Sequence, residues 1–374
     1  MKKILVWQSS SIIIGTLIGA GILGLPFAFV QAGFMTGLVV LGLLGTAILI
    51  LSLFFGEITL RTKTTHQLTG YTGLYLGKSA KHIQALLLLF GMFSAMLAYT
   101  VGLGEILASI LGSSPVLWSI ISYAVLSLFV IKGLGLIKRV EFVISFVFFG
   151  LLFILAALTS SHMNFPLWPS FNVRNFFIPY GAILFACSGI VSIPEARLLL
   201  HAQKEERLLR TVILIGNIFP ILIYAAFAAI VVSVTGIHTT EVATIGLSSS
   251  VGPLALAIGS TFALAAMSSS FMTLGTAISE VFQFDYNIKH GHALIVTLAV
   301  PLLLFIIGIR NFFGIVSTAG ALTVGLTGLL TLIVYWRAKK YGTRKPEYSF
   351  PNWFAIPATI LISLVFICGL LYTL

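Results

Sequence analysis

The sequence predicts an all-α polytopic membrane protein: eleven transmembrane helices in a five-plus-five inverted repeat, with one extra helix. Three observations predict it. The chain is 59% hydrophobic and 8% charged, whereas about a quarter of the residues of a soluble protein are charged. Its apolar runs are continuous and about 20 residues long, which suits helices rather than the alternating strands of a barrel. Third, Gly21-Ile22-Leu23-Gly24-Leu25-Pro26 returns as Gly189-Ile190-Val191-Ser192-Ile193-Pro194. Glycine and proline interrupt a membrane helix at a chosen depth, and the freed backbone groups must be satisfied inside the protein. Two such interruptions in corresponding places of two halves point to a transporter binding site. Kinks are common in glycine-rich apolar chains, so the hexapeptide gains weight only from its place in the topology.

Hydropathy places spans at 8–32, 34–60, 83–111, 115–132, 139–159, 175–199, 211–236, 251–281, 292–309, 311–336 and 353–373. The first follows Met1-Lys2-Lys3 and imitates a signal peptide. No small-x-small cleavage site follows it, and Pro26 and Gln31 lead into further membrane segments, so it is expected to be a retained helix. Loops 61–82 and 337–352 are polar and basic. Loop 237–250, with Glu241, is the longest outer connection between spans 7 and 8 and a candidate lid. Cys187 and Cys368 both lie in apolar runs, so neither a disulfide nor a metal site is expected.

Basic residues set the orientation. With the N-terminus inside, Lys2, Lys3, Arg61, Lys63, Lys78, Lys81, Lys132, Lys138, Arg139, Arg197, Lys204, Arg207, Arg210, Lys289, Arg337, Lys339, Lys340, Arg344 and Lys345 face inward. Arg174 and Arg310 alone face outward. The net charge of +11 therefore reads as a topology signal, not as a nucleic-acid surface. The marked spans are the first and sixth. An odd offset of five reverses direction through the membrane, the sign of an inverted repeat. The whole chain, 1–374, is expected to be one domain: repeat one 8–159, repeat two 175–336, extra helix 353–373. The N-terminus is expected in the cytoplasm and the C-terminus outside, in a plasma (inner) membrane, with a monomeric protein in the lipid bilayer.

Ile14-Gly15-Thr16-Leu17-Ile18-Gly19-Ala20-Gly21-Ile22-Leu23-Gly24-Leu25-Pro26 resembles the first helix of permeases in the amino acid–polyamine–organocation superfamily. The nearest groups are the amino acid/auxin permeases and the bacterial hydroxy and aromatic amino acid permeases. Phe185-Ala186-Cys187-Ser188-Gly189, followed by Ile193-Pro194-Glu195, is similar to their sixth helix, and Ser269-Ser270-Phe271 resembles a Thr-Ser-Phe of their eighth. The likeness runs over 8–336 in span order. It implies a LeuT-type fold and secondary transport of amino acids.

In the first helix, Gly19, Ala20 and Gly21 are expected to unwind the backbone beside Thr16. A second half-helix then begins near Ile22, with N–H groups and a positive dipole end suited to a carboxylate. In the sixth, Cys187, Ser188 and Gly189, leading into Ile190, form the matching break, whose carbonyls suit an ammonium group. Together they make a receptor for a zwitterion, an amino acid. Close helix packing through small residues is the competing explanation. Phe185, Ala186, Met96, Tyr99 and Phe271 are candidate walls, although in a chain with 30 phenylalanines such residues more often serve ordinary helix packing.

Ala266, Ser269 and Ser270 fall at i, i+3 and i+4 and share a face. With the carbonyls of Gly15 and Ile18 they resemble the sodium site shared by LeuT-type transporters. The alternative is that serine bonds back to its own helix. The coupling ion, Na+ or H+, stays open, with sodium favoured slightly. Span 5 lacks the lysine that replaces sodium in some relatives, and the histidines lie in loops or at helix ends. Glu105 in span 3 and Glu195 after Pro194 are candidate gating or proton groups, because a carboxyl at such depth is expensive unless paired, protonated or wet. Glu57 and Arg61, at i and i+4, are expected to form a structural ion pair. Glu141 is expected to complement a helix dipole, and Glu280 and Asp285 to be solvated. No hydrolase, phosphate-loop or channel-filter signature appears, so no enzyme or cofactor is expected. The expected activity is cation-coupled amino acid symport, with proton-coupled transport of aromatic or other neutral amino acids, or a non-transporting sensor, as alternatives.

Overall fold

The computed structural model describes residues 2–132, 170–284 and 286–373, with positions 150, 154, 157, 159 and 164 between them. Span 1 is α1 (Lys2–Leu17), a 3₁₀ turn (Ala20–Gly24) and α2 (Leu25–Ala32). Span 2 is α3 (Phe34–Arg61); α4 (Leu68–Leu76) follows it. Spans 3 and 4 are α5 (Lys78–Leu111) and α6 (Pro115–Lys132). Span 6 is α7 (Tyr180–Ala186), a 3₁₀ turn (Ile190–Ser192) and α8 (Ile193–Ala202). Span 7 is α9 (Leu209–Thr235), followed by α10 (Ala243–Val251). Spans 8 and 9 are α11 (Pro253–Phe284) and α12 (His290–Ile307). Span 10 is α13 (Phe312–Ala319), a π turn (Gly320–Val324) and α14 (Gly325–Tyr341). Span 11 is α15 (Asn352–Thr373).

Among the described residues, nine helices are long and apolar enough to cross a membrane, or ten with the bent pair of span 1 counted as one. The predicted fifth span, 139–159, lies almost wholly outside the described residues, as do Glu141 and Asp285. Two predicted loops hold helices. In loop 61–82, Leu68, Tyr71 and Thr72 of α4 are buried together, the i, i+3, i+4 pattern of a helix with one covered face. Loop 237–250 holds α10, which packs on spans 7 and 8 and on the first break.

Both interrupted spans restart in the same way. Pro26 stands in the first turn of α2 and Pro194 in the first turn of α8. There the missing N–H has no helical partner to lose, and the fixed φ starts the helix.

Hydrogen bonds across the chain confirm the alternating direction of the helices. On one face Lys2 pairs with Glu205 at 3.4 Å, Arg197 donates to the Thr62 carbonyl at 3.1 Å, and Arg344 N–H donates to the Arg61 carbonyl at 3.0 Å. We call this the basic face. On the opposite face Asn175 donates to the Gln31 carbonyl at 3.1 Å and Asn311 to Glu241 at 2.7 Å.

The packing repeats under an exchange of span n for span n+5. Span 1 lies against 7, as 6 lies against 2. Spans 3 and 4 pack together, as do 8 and 9. Span 4 meets 8, as 9 meets 3. The pairs 2 with 7 and 3 with 8 map onto themselves. This is the inverted repeat expressed as contacts.

Candidate substrate site at the two helix breaks

At the first break, α1 stops after Leu17. Gly19 is extended (φ −129°, ψ −162°), and the 3₁₀ turn opens with Ile22 N–H on the Gly19 carbonyl at 3.4 Å. The amides of Ala20 and Gly21 come before that first bond of the turn, as the leading amides of any helix do. A Cβ at Gly19 would meet nothing within 4 Å, so open space borders the break there. Thr16, on the basic-face side, is exposed and bonds back to the Ile12 carbonyl at 2.9 Å.

At the second break two serine hydroxyls join the backbone bonds. Ser188 N–H and its hydroxyl both donate to the Phe185 carbonyl, at 3.3 and 2.8 Å. Gly189 N–H donates to the Cys187 carbonyl at 2.9 Å. Ser192 gives its N–H and its hydroxyl to the Gly189 carbonyl, at 3.2 and 2.7 Å. Of the carbonyls expected to be free, those of Cys187 and Gly189 thus have an internal donor, and a carbonyl with one donor keeps its second lone pair for another.

The breaks touch reciprocally. A Cβ on Gly21 would lie 3.0 Å from Ala186 Cα and 3.1 Å from the Phe185 ring; one on Gly189 would lie 2.7 Å from Leu17 Cγ. In the hexapeptide register Gly21 matches Gly189 and Leu17 matches Phe185. Gly189 therefore packs on Leu17, four positions before Gly21, and Gly21 packs on Phe185, four positions before Gly189, and on its neighbour Ala186. The Tyr224 hydroxyl of span 7 joins them, 2.6 Å from the Leu17 carbonyl and 2.9 Å from the Ala186 carbonyl. Nothing in the sequence singled out this tyrosine within an apolar run.

The family model for tryptophan/tyrosine permeases matches residues 2–374. The chain belongs to that family. A glutamine transporter of Aliivibrio fischeri is 21% identical over 380 residues, covering 97% of each chain. Among solved structures, a nucleobase-cation-symport-1 family transporter, held closed with bromovinylhydantoin bound, superposes with a TM-score of 0.61 at 16% identity. That match covers 98% of this chain and 91% of the other. The protein is a multi-pass membrane transporter with a LeuT-like fold, not an enzyme.

In this permease the face opposite the basic one is covered above the breaks. Ile22, Leu23, Leu25, Ala28 and Phe29 are fully buried. A Cβ at Gly24 or Gly102 would meet the Phe312 ring, at 3.5 and 3.3 Å, so this ring of span 10 lies between spans 1 and 3. Phe27 and Phe313 meet edge to face, with centroids 5.1 Å apart. Glu241 fixes that end: it accepts from Asn311 and, at 2.9 Å, from the Phe313 N–H at the start of α13. A carboxylate there also complements the positive end of the helix. On the basic-face side Gly15, Thr16 and Ser188 are exposed.

The candidate walls divide. Phe185 is half-buried at the breaks, against Gly21, beside buried Ala186 and Cys187; Ile190 is 8% exposed. Met96 and Tyr99 are buried on span 3. Phe271 packs edge to face on Tyr123 of span 4, with centroids 5.3 Å apart, in the span 4–8 contact. For the cation set, the Ser269 hydroxyl donates to the Ala266 carbonyl at 3.1 Å, as back-bonding predicts. Ser270 is half-buried, Gly15 exposed and Ile18 buried.

Glu105 is half-buried on span 3, within electrostatic reach of Glu241. Glu195 is exposed in the first turn of α8, with no ion-pair partner among the described residues; its acidity suits that helix start. The buried charge is Arg197, two residues on and 1% exposed. It donates to Glu206 at 2.9 Å, to the Tyr71 hydroxyl at 3.2 Å and to the Thr62 carbonyl. Arg344 holds Glu206 at 2.7 Å and also reaches Glu347; its hydrogen bonds to Glu206 raise the guanidinium above its ordinary value. Glu57 pairs with Arg61 at 2.7 Å, as expected, and also accepts from Tyr335, Ser349 and the Phe350 N–H. Segment 342–350 is thereby a polar strap under spans 2, 6 and 7. From sequence it reads only as a polar, basic loop, because each partner lies far away in the chain.

Proposed function

We propose that the protein is a secondary active amino acid transporter, coupled to a cation and working by alternating access. The observation that carries the proposal is the open space beside Gly19, where two broken helices cross. The amides of Ala20 and Gly21 suit a carboxylate, and the open lone pairs of the Cys187–Ile190 carbonyls suit an ammonium group. Phe185, Ala186, Met96 and Tyr99 offer apolar walls, with Thr16 below and Phe271 behind. The family name supports an aromatic substrate, and the relative's name adds glutamine to the panel. The likeness of both breaks supports a place in the amino acid–polyamine–organocation superfamily, near the amino acid/auxin and the hydroxy and aromatic amino acid permeases.

Spans 1, 2, 6 and 7 rock against 3, 4, 8 and 9, in a monomer whose basic face is cytoplasmic, in the plasma membrane. Sodium binds to oxygens of Gly15, Ile18, Ala266, Ser269 and Ser270. Proton coupling is the second reading. It is favoured by Glu105, a carboxyl half-buried on span 3 within electrostatic reach of Glu241, and it uses Glu105 or Glu195. Uptake of tryptophan, tyrosine and glutamine into liposomes, with sodium and proton gradients imposed separately, tests both. Accumulation under either gradient is expected. Accumulation under neither sinks the symporter. Sodium dependence untouched by Ser269→Ala with Ser270→Ala sinks the sodium site.

A further inference from the structure

Two half-helices end at one hydroxyl. The last carbonyls of α1 and α7 carry the negative ends of their helices. Leu17 is the last residue of α1 and Ala186 the last of α7. Like poles that converge in an apolar interior repel, and each unsatisfied oxygen there is costly. The Leu17 oxygen accepts the Gly19 N–H at 2.9 Å, and Tyr224 supplies a donor common to both oxygens: its hydroxyl is 2.6 Å from Leu17 O and 2.9 Å from Ala186 O, on a side chain with no exposure. A phenol has one proton. It points at one carbonyl or the other, or is shared, but is never given in full to both.

The two acceptors sit where the breaks pack. Leu17 is the residue Gly189 rests on, and Ala186 the one Gly21 rests on. A movement that separates α1 from α7 therefore disturbs the glycine contacts and the shared hydrogen bond together.

We propose that Tyr224 is the positioning residue through which the two breaks sense each other. When α1 swings away from the hydroxyl, the proton passes wholly to Ala186. When α7 moves, it passes to Leu17. One bond is kept in either case, so the opening of one break costs less and holds the other shut. Such coupling is reciprocal. Tyr224 does not touch a substrate; it acts through the backbone of both breaks. Only the uptake arm of the test below rests on the transport reading.

Tyr224→Phe keeps the ring and removes the oxygen. Cys187, 3% exposed and next to Ala186, is a native reporter once Cys368→Ser leaves it as the sole thiol. The full chain in liposomes is treated with N-ethylmaleimide, and the alkylation rate of Cys187 is measured. Tyr224→Phe is expected to speed alkylation about tenfold, the factor that accompanies loss of one buried hydrogen bond, at a thermal midpoint close to that of the parent. Difluorotyrosine at 224, a stronger donor of the same shape, is expected to slow it, and keeps the test decisive if the phenylalanine variant fails to fold. Tryptophan uptake is expected to lose Vmax with KM nearly unchanged. Alkylation rates within twofold of the parent for every variant that folds would overturn the proposal. Absence of amino acid uptake by the parent would count against the transport reading, while the alkylation rates still decide for Tyr224.

Discussion

The two breaks follow one hexapeptide plan and differ in where their hydrogen bonds go. At the second, the hydroxyls of Ser188 and Ser192 both close on break carbonyls. In the hexapeptide register those serines correspond to Ala20 and Gly24, which have nothing to donate. The first break has backbone bonds of its own, from Gly19 N–H to the Leu17 carbonyl at 2.9 Å and from Ile22 N–H to the Gly19 carbonyl at 3.4 Å, without those hydroxyls, and it borders open space at Gly19. Span 1 bends by 51° at its break, whereas the two halves of span 6 run on as one apolar span, Tyr180–Ala202. The lesson is that a repeat can give both halves a break and leave one of them soft. Local side-chain donors compete with helix continuation and stiffen the turn they make, so the first break is the element expected to move.

Substitutions at matched positions can break or sharpen that contrast. The largest effect is expected from Gly189→Ala, whose methyl would overlap Leu17 at 2.7 to 3.1 Å. A loss of about 2 kcal/mol in detergent unfolding is expected from such overpacking, and adding Leu17→Ala should cost less than the two changes separately. Strict additivity would mean the breaks do not bear on each other. Gly21→Ala comes next, at about 1 kcal/mol. Because its nearest atom is Ala186 Cα at 3.0 Å, trimming Phe185 to alanine should not recover it; full recovery would show that the ring, not the backbone, sets the contact. Ser192→Ala removes the 2.7 Å hydroxyl bond to Gly189, worth about 1 kcal/mol. Hydrogen exchange at Ile190–Ile193 should quicken toward that of the first break, and an unchanged rate would remove the serines as the cause of stiffness. The smallest stability change, under about 0.5 kcal/mol, is expected for Gly19→Ala, which meets nothing. Uptake should nevertheless fall, since the methyl projects into the open space; full uptake would move the substrate elsewhere.

Much of the fold was legible because it rests on local quantities. Hydropathy found the spans that are described, and the matched Gly and Pro placed both breaks. Glu57 and Arg61 stood one turn apart and do pair. What stayed hidden depends on partners distant in sequence. Arg197 had counted as one more topology charge, yet it is buried by Thr62, Tyr71 and Glu206. Tyr224 acts on carbonyls 207 and 38 residues away. Hydropathy weighs each residue against water and is blind to such bonds. The short helix α4 was within reach, since Leu68, Tyr71 and Thr72 keep helical spacing, but a basic surround gave it the look of a plain loop. Within the candidate site, the two breaks could be read from the sequence. The self-satisfied carbonyls of the second could not, because Ser188 and Ser192 read as ordinary small residues.

Lys2 meets Glu205 on the basic face, whereas Tyr372 lies by Phe177, at the start of span 6 on the opposite face. The two ends of the described chain thus lie at opposite faces of the helix bundle. Two copies joined head to tail by a short linker would insert upside down relative to each other, giving a tandem that points its breaks both ways. A linker with one added crossing helix would set them parallel. For anyone fusing this protein to a reporter, the choice between these two ends is a choice between opposite faces of the helix bundle.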